Sequence, residues 1–199
     1  MSLKFANNNS LSAIDTKPSG LTGGALTLLS TQTASSSSTI TFDSNIDSTY
    51  KEYQFHFINI HPQTDDTNFQ VNFRDGSTDY DATKTSTYFR CIHSETGTTE
   101  LAYEAGNDLA QSTGFKTLSD DIGADADQNL NGVLHLFDPS NTTFVKHFIC
   151  AIAVSQSANY SMNHFTAGYC NVTAAIDGVQ FKQSSGNIDS GIIKMYGVS

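Results

Sequence analysis

Apolar residues recur at every second position along much of this chain, and polar turns interrupt them roughly every 8–15 residues. In Glu52–His61 (EYQFHFINIH), Tyr53, Phe55 and Phe57 fall on one side while Gln54 and His56 fall on the other. Asn68–Arg74 places Phe69, Val71 and Phe73 at strict period two and stops at Asp75-Gly76, a pair suited to a tight turn. A period of two is the signature of a strand with one face on a core. The same reasoning predicts strands at Ala25–Gln32 and Thr39–Phe42, with the low-complexity run Ser35–Ser38 as a linker between them. It predicts two more at Thr85–Ile92 and Glu100–Tyr103, on either side of a turn around Gly97.

Further along, Gly132–Phe137 and Thr142–Val154 bracket Asp138-Pro139-Ser140-Asn141, where proline suits the second position of a type I turn. A hairpin is expected there. Tyr160–Thr173 is a long strand with a bulge expected at Gly168. Ile176–Gln183 and Ser190–Val198 enclose Ser184-Ser185-Gly186-Asn187, predicting a second hairpin in which Gly186 and Asn187 tolerate positive φ. Only Glu104–Ser112 has the character of a short helix. Ten or eleven strands with this turn spacing predict an all-β fold, a jelly-roll-like antiparallel β-sandwich over residues 25–199. No internal repeat at a fixed period is present.

Residues 1–24 (MSLKFANNNSLSAIDTKPSGLTGG) differ in kind. They are polar, contain Pro18, end in Gly23-Gly24 and sustain neither period, so an extended N-terminal arm or tether is expected. The stretch Met1–Ser12 has no cationic start and no apolar segment of the sort that marks a signal peptide.

Composition supports the strand reading. The chain has 24 Ser, 23 Thr and 15 Asn against 8 Lys, 2 Arg and 4 Glu, which starves a helix of its usual solvent-facing residues. The net charge of −10 comes mostly from 16 Asp, a residue at home in turns. An acidic, arginine-poor surface disfavours nucleic acid and anionic membranes, and no apolar run reaches the length of a membrane span. Cys91, Cys150 and Cys170 are odd in number and far apart, so no disulfide framework is expected. The Asn-x-Ser/Thr triplets at Asn141, Asn159 and Asn171 are expected to be incidental in so Asn- and Thr-rich a chain.

Candidate chemistry is sparse. Asp125, Asp127 and Asn129 imitate the start of a calcium loop within the acidic run Asp120–Asn129. Leu130 stands where such a loop needs glycine and Leu136 where it needs glutamate. That excludes a helix–loop–helix calcium site and leaves an irregular loop site open. His135 and His147 lie on the two arms of one expected hairpin, but strand parity puts His147 and Cys150 on opposite faces. The other histidines (His56, His61, His93, His164) show no metal spacing. There is no Gly-x-Ser-x-Gly elbow. The four glutamates (Glu52, Glu95, Glu100, Glu104) offer a hydrolytic pair only through Glu100 and Glu104, beside one strand end. Without tryptophan, sugar binding would rest on Tyr50, Tyr53, Tyr80, Tyr88, Tyr160 and Tyr169, which are expected chiefly to fill the core with their hydroxyls at its rim. No catalytic residue, metal or cofactor is expected.

The segment Ala175–Val198, with its Ser185-Gly186-Asn187-Ile188 turn and its closing Tyr196-Gly197, resembles the closing hairpin of small structural proteins from tailed phages of marine bacteria and cyanobacteria. Leu28–Ala34, Phe137–Thr143 and the opening Asn8–Ile14 with its Pro18-Ser19-Gly20 resemble the same group. The resemblance implies a bacteriophage virion structural protein, without enzymatic activity, assembled in the host cytoplasm. It would be an exterior subunit of the head-decoration, knob or tail-fibre type. The implied partners are other virion proteins and further copies of the chain, with a trimer as the expected homo-oligomer. The alternative is a carbohydrate-binding module that recognises a host surface glycan.

Overall fold

The computed structural model describes residues 25–199; the arm expected at 1–24 lies outside them. The described residues form fourteen strands and no helix. In order these are β1 (Leu26–Ser37), β2 (Ile40–Phe42), β3 (Glu52–Pro62), β4 (Thr67–Arg74), β5 (Lys84–Ser86), β6 (Phe89–Ser94) and β7 (Thr99–Tyr103). They continue as β8 (Leu109–Ser112), β9 (Lys116–Ile122), β10 (Leu130–Phe137), β11 (Lys146–Ser155), β12 (Tyr160–Cys170), β13 (Gly178–Gln183) and β14 (Ile188–Val198).

All pairings between strands are antiparallel. A small sheet runs β2-β13-β4-β9, and a large one runs β1-β14-β3-β10-β11-β12-β5-β8, with β6 also on β12 and β7 on β6. The halves β1-β14-β3-β10 and β2-β13-β4-β9 are the two facing sheets of a jelly roll. The expected all-β jelly-roll sandwich is therefore the observed fold. Strands β5–β8 and β11–β12 are insertions that widen the large sheet on one side of β10.

The two halves of the interior differ. Under the jelly roll, Phe181 of β13 meets Phe42, Phe55, Phe57 and Phe69, with ring centroids 5.2–6.3 Å away, and stacks on Phe69. These rings come from both sheets and are buried, so their apolar area holds the layers together. Under the insertion the buried positions include Lys116, Thr117, Ser119, Asp120, His164 and Thr166.

Several local expectations are corrected. The Ser35–Ser38 run is no linker: β1 continues to Ser37, paired across to Ile188, and the Ser36 hydroxyl donates to Asp189. The segment Thr85–Ile92 breaks into β5 and β6. Glu104–Ser112 holds a turn and β8 rather than a helix, and the strand β9 follows where no strand was expected. The register of β11 on β12 is unbroken from Lys146↔Cys170 to Ser155↔Ser161, so Gly168 is not a bulge. A side chain there would meet the Phe148 ring at 2.5 Å, and that close approach is why the position is glycine.

The hairpin expected between the last two strands does not exist either. β13 pairs with β2 and β4, whereas β14 pairs with β1 and β3, so Ser184–Asn187 carries the chain from one sheet to the other. Gly186 has φ +69°, as expected, but Asn187 is not among the residues with positive φ. The first hairpin stands: β10 pairs with β11, and the Asn141 amide donates to the Asp138 carbonyl across the turn.

Candidate functional site

Strand β9 brings charge into the insertion. Its sequence KTLSDDI is buried at nearly every position. Ser119 Oγ lies 2.8 Å from His164 Nδ1, and His164 Nε2 lies 3.0 Å from Asp120 Oδ1. The other Asp120 oxygen accepts from Asn107 at 2.7 Å and sits 3.4 Å from Arg90, which also pairs with Glu104 at 3.1 Å. Burial works against ionising Asp120, but the hydrogen bond and charge of His164, then Tyr88 and Arg90, hold its carboxyl below the usual carboxylate range. Asp121 is pushed the other way, first by burial and then by the like charges of Asp120 and Asp66.

Serine, histidine and aspartate in mutual contact are the residue types of an acyl-transfer triad. Here Ser119 and His164 are at most 1% exposed. The cleft beside Arg90 and Asp121, about 70 Å³, is lined by neither of them. A substrate carbonyl has no path to Ser119. What the geometry accomplishes is a buried polar core in which one carboxylate ties β9, β12, the 104–108 turn and β6 together, while Thr166 Oγ1 is left without a partner.

Three lysines act in a related way. Lys146 Nζ donates to the carbonyls of Asn141, Phe144 and Val172 at 2.7–3.2 Å, Lys116 Nζ to those of Asn107 and Thr117 at 2.6 Å, and Lys84 Nζ to that of Gly114 at 2.8 Å. Each lysine is fully buried, and its tip is satisfied by backbone carbonyls, most of them in the turns between strands. Burial depresses Lys116 to about 7 and Lys84 to about 8.

The residues singled out from sequence scatter. Asp127 lines a rim cleft of about 320 Å³ with His93, Glu95, Asn159 and Tyr160. Asn129 Oδ1 is taken by Asn131, and among the described residues no group of acidic, His and Cys side chains is placed to hold a metal ion. His135 is opposite Ile149, not His147, and bonds Glu52 at 2.7 Å; His147 faces out and Cys150 in, as parity predicts. Glu104 is held by Arg90, while Glu100 is exposed on β7. Tyr53 and Tyr88 are fully buried, and the Tyr53 hydroxyl donates to the Asp47 carbonyl. Among the described residues no helix is long and apolar enough to cross a membrane.

The surface feature that sequence reasoning passed over is the outer face of the insertion. One cross-strand row runs Val133–Ala151–Phe165–Phe89–Tyr103 over β10, β11, β12, β6 and β7. The Phe89 and Phe165 rings stack at 5.2 Å. Beside the row lies Ile149, with Ala167 opposite it, and Leu101 sits opposite Cys91. The outward positions of these five strands carry no Asp, Glu, Lys or Arg. The jelly-roll half of the same sheet instead faces out with Glu52, Gln54, His56 and Lys194. Next to the ridge is a trough of about 410 Å³, floored by Ala167 and walled by Ile149, His147, Tyr169, Thr85 and Thr87. No family model matches the chain, and no curated protein matches it.

Proposed function

We propose that this protein is a structural subunit on the exterior of a tailed-phage particle, of the head-decoration, knob or fibre type, with no enzymatic activity. The observation that carries this reading is the charge-free apolar face of the insertion. A face of this kind on a chain of net charge −10 serves packing against protein rather than solvation or chemistry. The jelly-roll scaffold and the resemblance of Leu28–Ala34 and Phe137–Thr143 to phage structural chains support it. In this reading residues 1–24 anchor the subunit to a neighbouring virion protein. The chain is made in the host cytoplasm and assembles there with other virion proteins.

The test is mass spectrometry of purified particles, followed by cryo-electron microscopy to find the chain in the density. Its presence on the head or tail supports the proposal, and its absence from particles overturns it. A truncation lacking residues 1–24 should fold and fail to enter particles; normal incorporation would remove the anchoring role.

A second reading, recognition of a host surface glycan, draws on the rim cleft, where Tyr160 stands beside Asp127, His93 and Asn159. An aromatic ring flanked by polar groups suits a sugar. Saturable binding on a glycan array that Tyr160→Ala abolishes supports it, and a blank array counts against it.

A further inference from the structure

We infer that the apolar outer face of the insertion is covered by a second copy of this chain, related by a two-fold axis. The inference rests on the structural-subunit reading, names the partner of that surface, and sets a dimer in place of the trimer expected from the sequence.

Area is the first argument. Phe89, Leu101, Tyr103, Ile149 and Phe165 are exposed to between 39% (Phe165) and 75% (Leu101). Side chains of this size at these exposures leave on the order of 500 Å² of apolar surface in water. That is as large as the largest patch of a typical monomer. Val133, Ala151, Ala153 and Ala167 extend the face towards the roughly 800 Å² per partner of a standard interface.

Charge is the second. Each chain carries −10, so two copies repel wherever carboxylates approach one another. The outward positions of β10, β11, β12, β6 and β7 lack carboxylates altogether, and the charges begin at the rim, with Asp108 accepting from the Tyr103 hydroxyl at 2.6 Å. On this face two such chains meet without opposing carboxylates.

Shape is the third. A two-fold interface requires one surface to carry both halves of the fit. Here the Phe165–Phe89–Tyr103 ridge and the trough over Ala167 lie side by side on one sheet, Phe165 and Ala167 being two residues apart on β12. Rotation by a half-turn sets the ridge of each copy into the trough of the other.

The test is sedimentation equilibrium of the purified full chain, whose monomer is 21.5 kDa. The expected mass is that of two chains, falling to one in Phe165→Asp and in Leu101→Asp. Lys182→Asp, on the outer face of the small sheet, should remain paired. Circular dichroism establishes that each variant is folded; Ala167→Arg, a change at the trough floor, serves if the aromatic site does not tolerate charge. Cys91 is exposed on this face whereas Cys150 and Cys170 are buried, so maleimide labelling of Cys91 should slow as concentration rises. A monomer or trimer in the wild type, or a dimer that survives all three face variants, overturns the inference. A monomer that is nonetheless found in particles would leave the structural-subunit reading standing. A dimer absent from particles would do the reverse.

Discussion

Lys146 donates through Nζ to the carbonyl of Val172 at 2.7 Å, so the first residue of β11 holds the chain just beyond the end of β12. The same nitrogen satisfies Asn141 and Phe144 in the turn before it, which gives three acceptors for three ammonium hydrogens. Lys146→Met keeps most of the stem and strands these carbonyls. It should cost about 2–4 kcal/mol in urea unfolding. A loss below about 0.5 kcal/mol would show that water replaces the lysine freely.

The other two buried lysines set a pH dependence. Lys116 and Lys84 stand near 7 and 8 in the fold because of burial, against 10.5 when unfolded. From pH 7 upward the unfolded chain binds more protons than the folded one, so stability rises with pH. Burial raises the folded thiols of Cys150 and Cys170, Cys170 to about 12, against 9.0 unfolded. Above about pH 9 the unfolded chain loses those protons first, which offsets the lysine gain and turns it into a fall from about pH 10. Calorimetric melting should show a gain on the order of 2–3 kcal/mol between pH 7 and 9. Lys116→Met should flatten that rise; an unchanged slope would mean Lys116 is not its source.

Asp120 sits among His164, Arg90, Asn107 and Tyr88, and replacing its charge takes the facing carboxylate from a fully buried imidazole and one of the carboxylates from Arg90. Asp120→Asn should cost about 2–4 kcal/mol by denaturant titration. Because the folded pKa of Asp120 is depressed, the wild type draws stability from it above the unfolded value of 3.8 and loses that as pH falls further. The variant should lack that acid-side loss.

Gly191 interrupts β14 at φ +121°, with the Asn59 carbonyl 2.6 Å from where a Cβ would stand. The register of β14 on β3 shifts at this point. Gly191→Ala combines an unfavourable φ with a backbone clash and should cost at least about 2 kcal/mol in thermal unfolding. A near-neutral result would mean the irregularity relaxes easily.

The strands legible in the sequence are those whose inward residues are apolar and whose outward ones are polar, such as Tyr53, Phe55 and Phe57 against Gln54 and His56. β9 was illegible for the same reason inverted. Its inward residues Lys116, Ser119 and Asp120 are polar, and their burial depends on Tyr88, Arg90 and His164, which arrive from distant segments. Pairing partners were out of reach too. Nothing local distinguishes a turn that folds a hairpin from Ser184–Asn187, which crosses between layers. The outer face did leave a trace. In β11 the alternate positions Ile149, Ala151 and Ala153 are apolar although Phe148, Cys150, Ile152 and Val154 already fill the core. A strand apolar at both parities is one with both faces covered.

The place of β14 bears on how this chain is born. It lies between β1 and β3, with Leu26 opposite Val198 and Glu52 opposite the same residue on its other side. During translation the ribosome delivers β1 and β3 long before the segment that must slot between them. Until Ile188–Val198 emerges, two strand edges stand open in the nascent domain, and each is a template for pairing with a neighbouring nascent chain on the same message. Synthesis that stops short of residue 188 therefore yields not a smaller sandwich but an unclosed one, a species for chaperones and proteases to recognise.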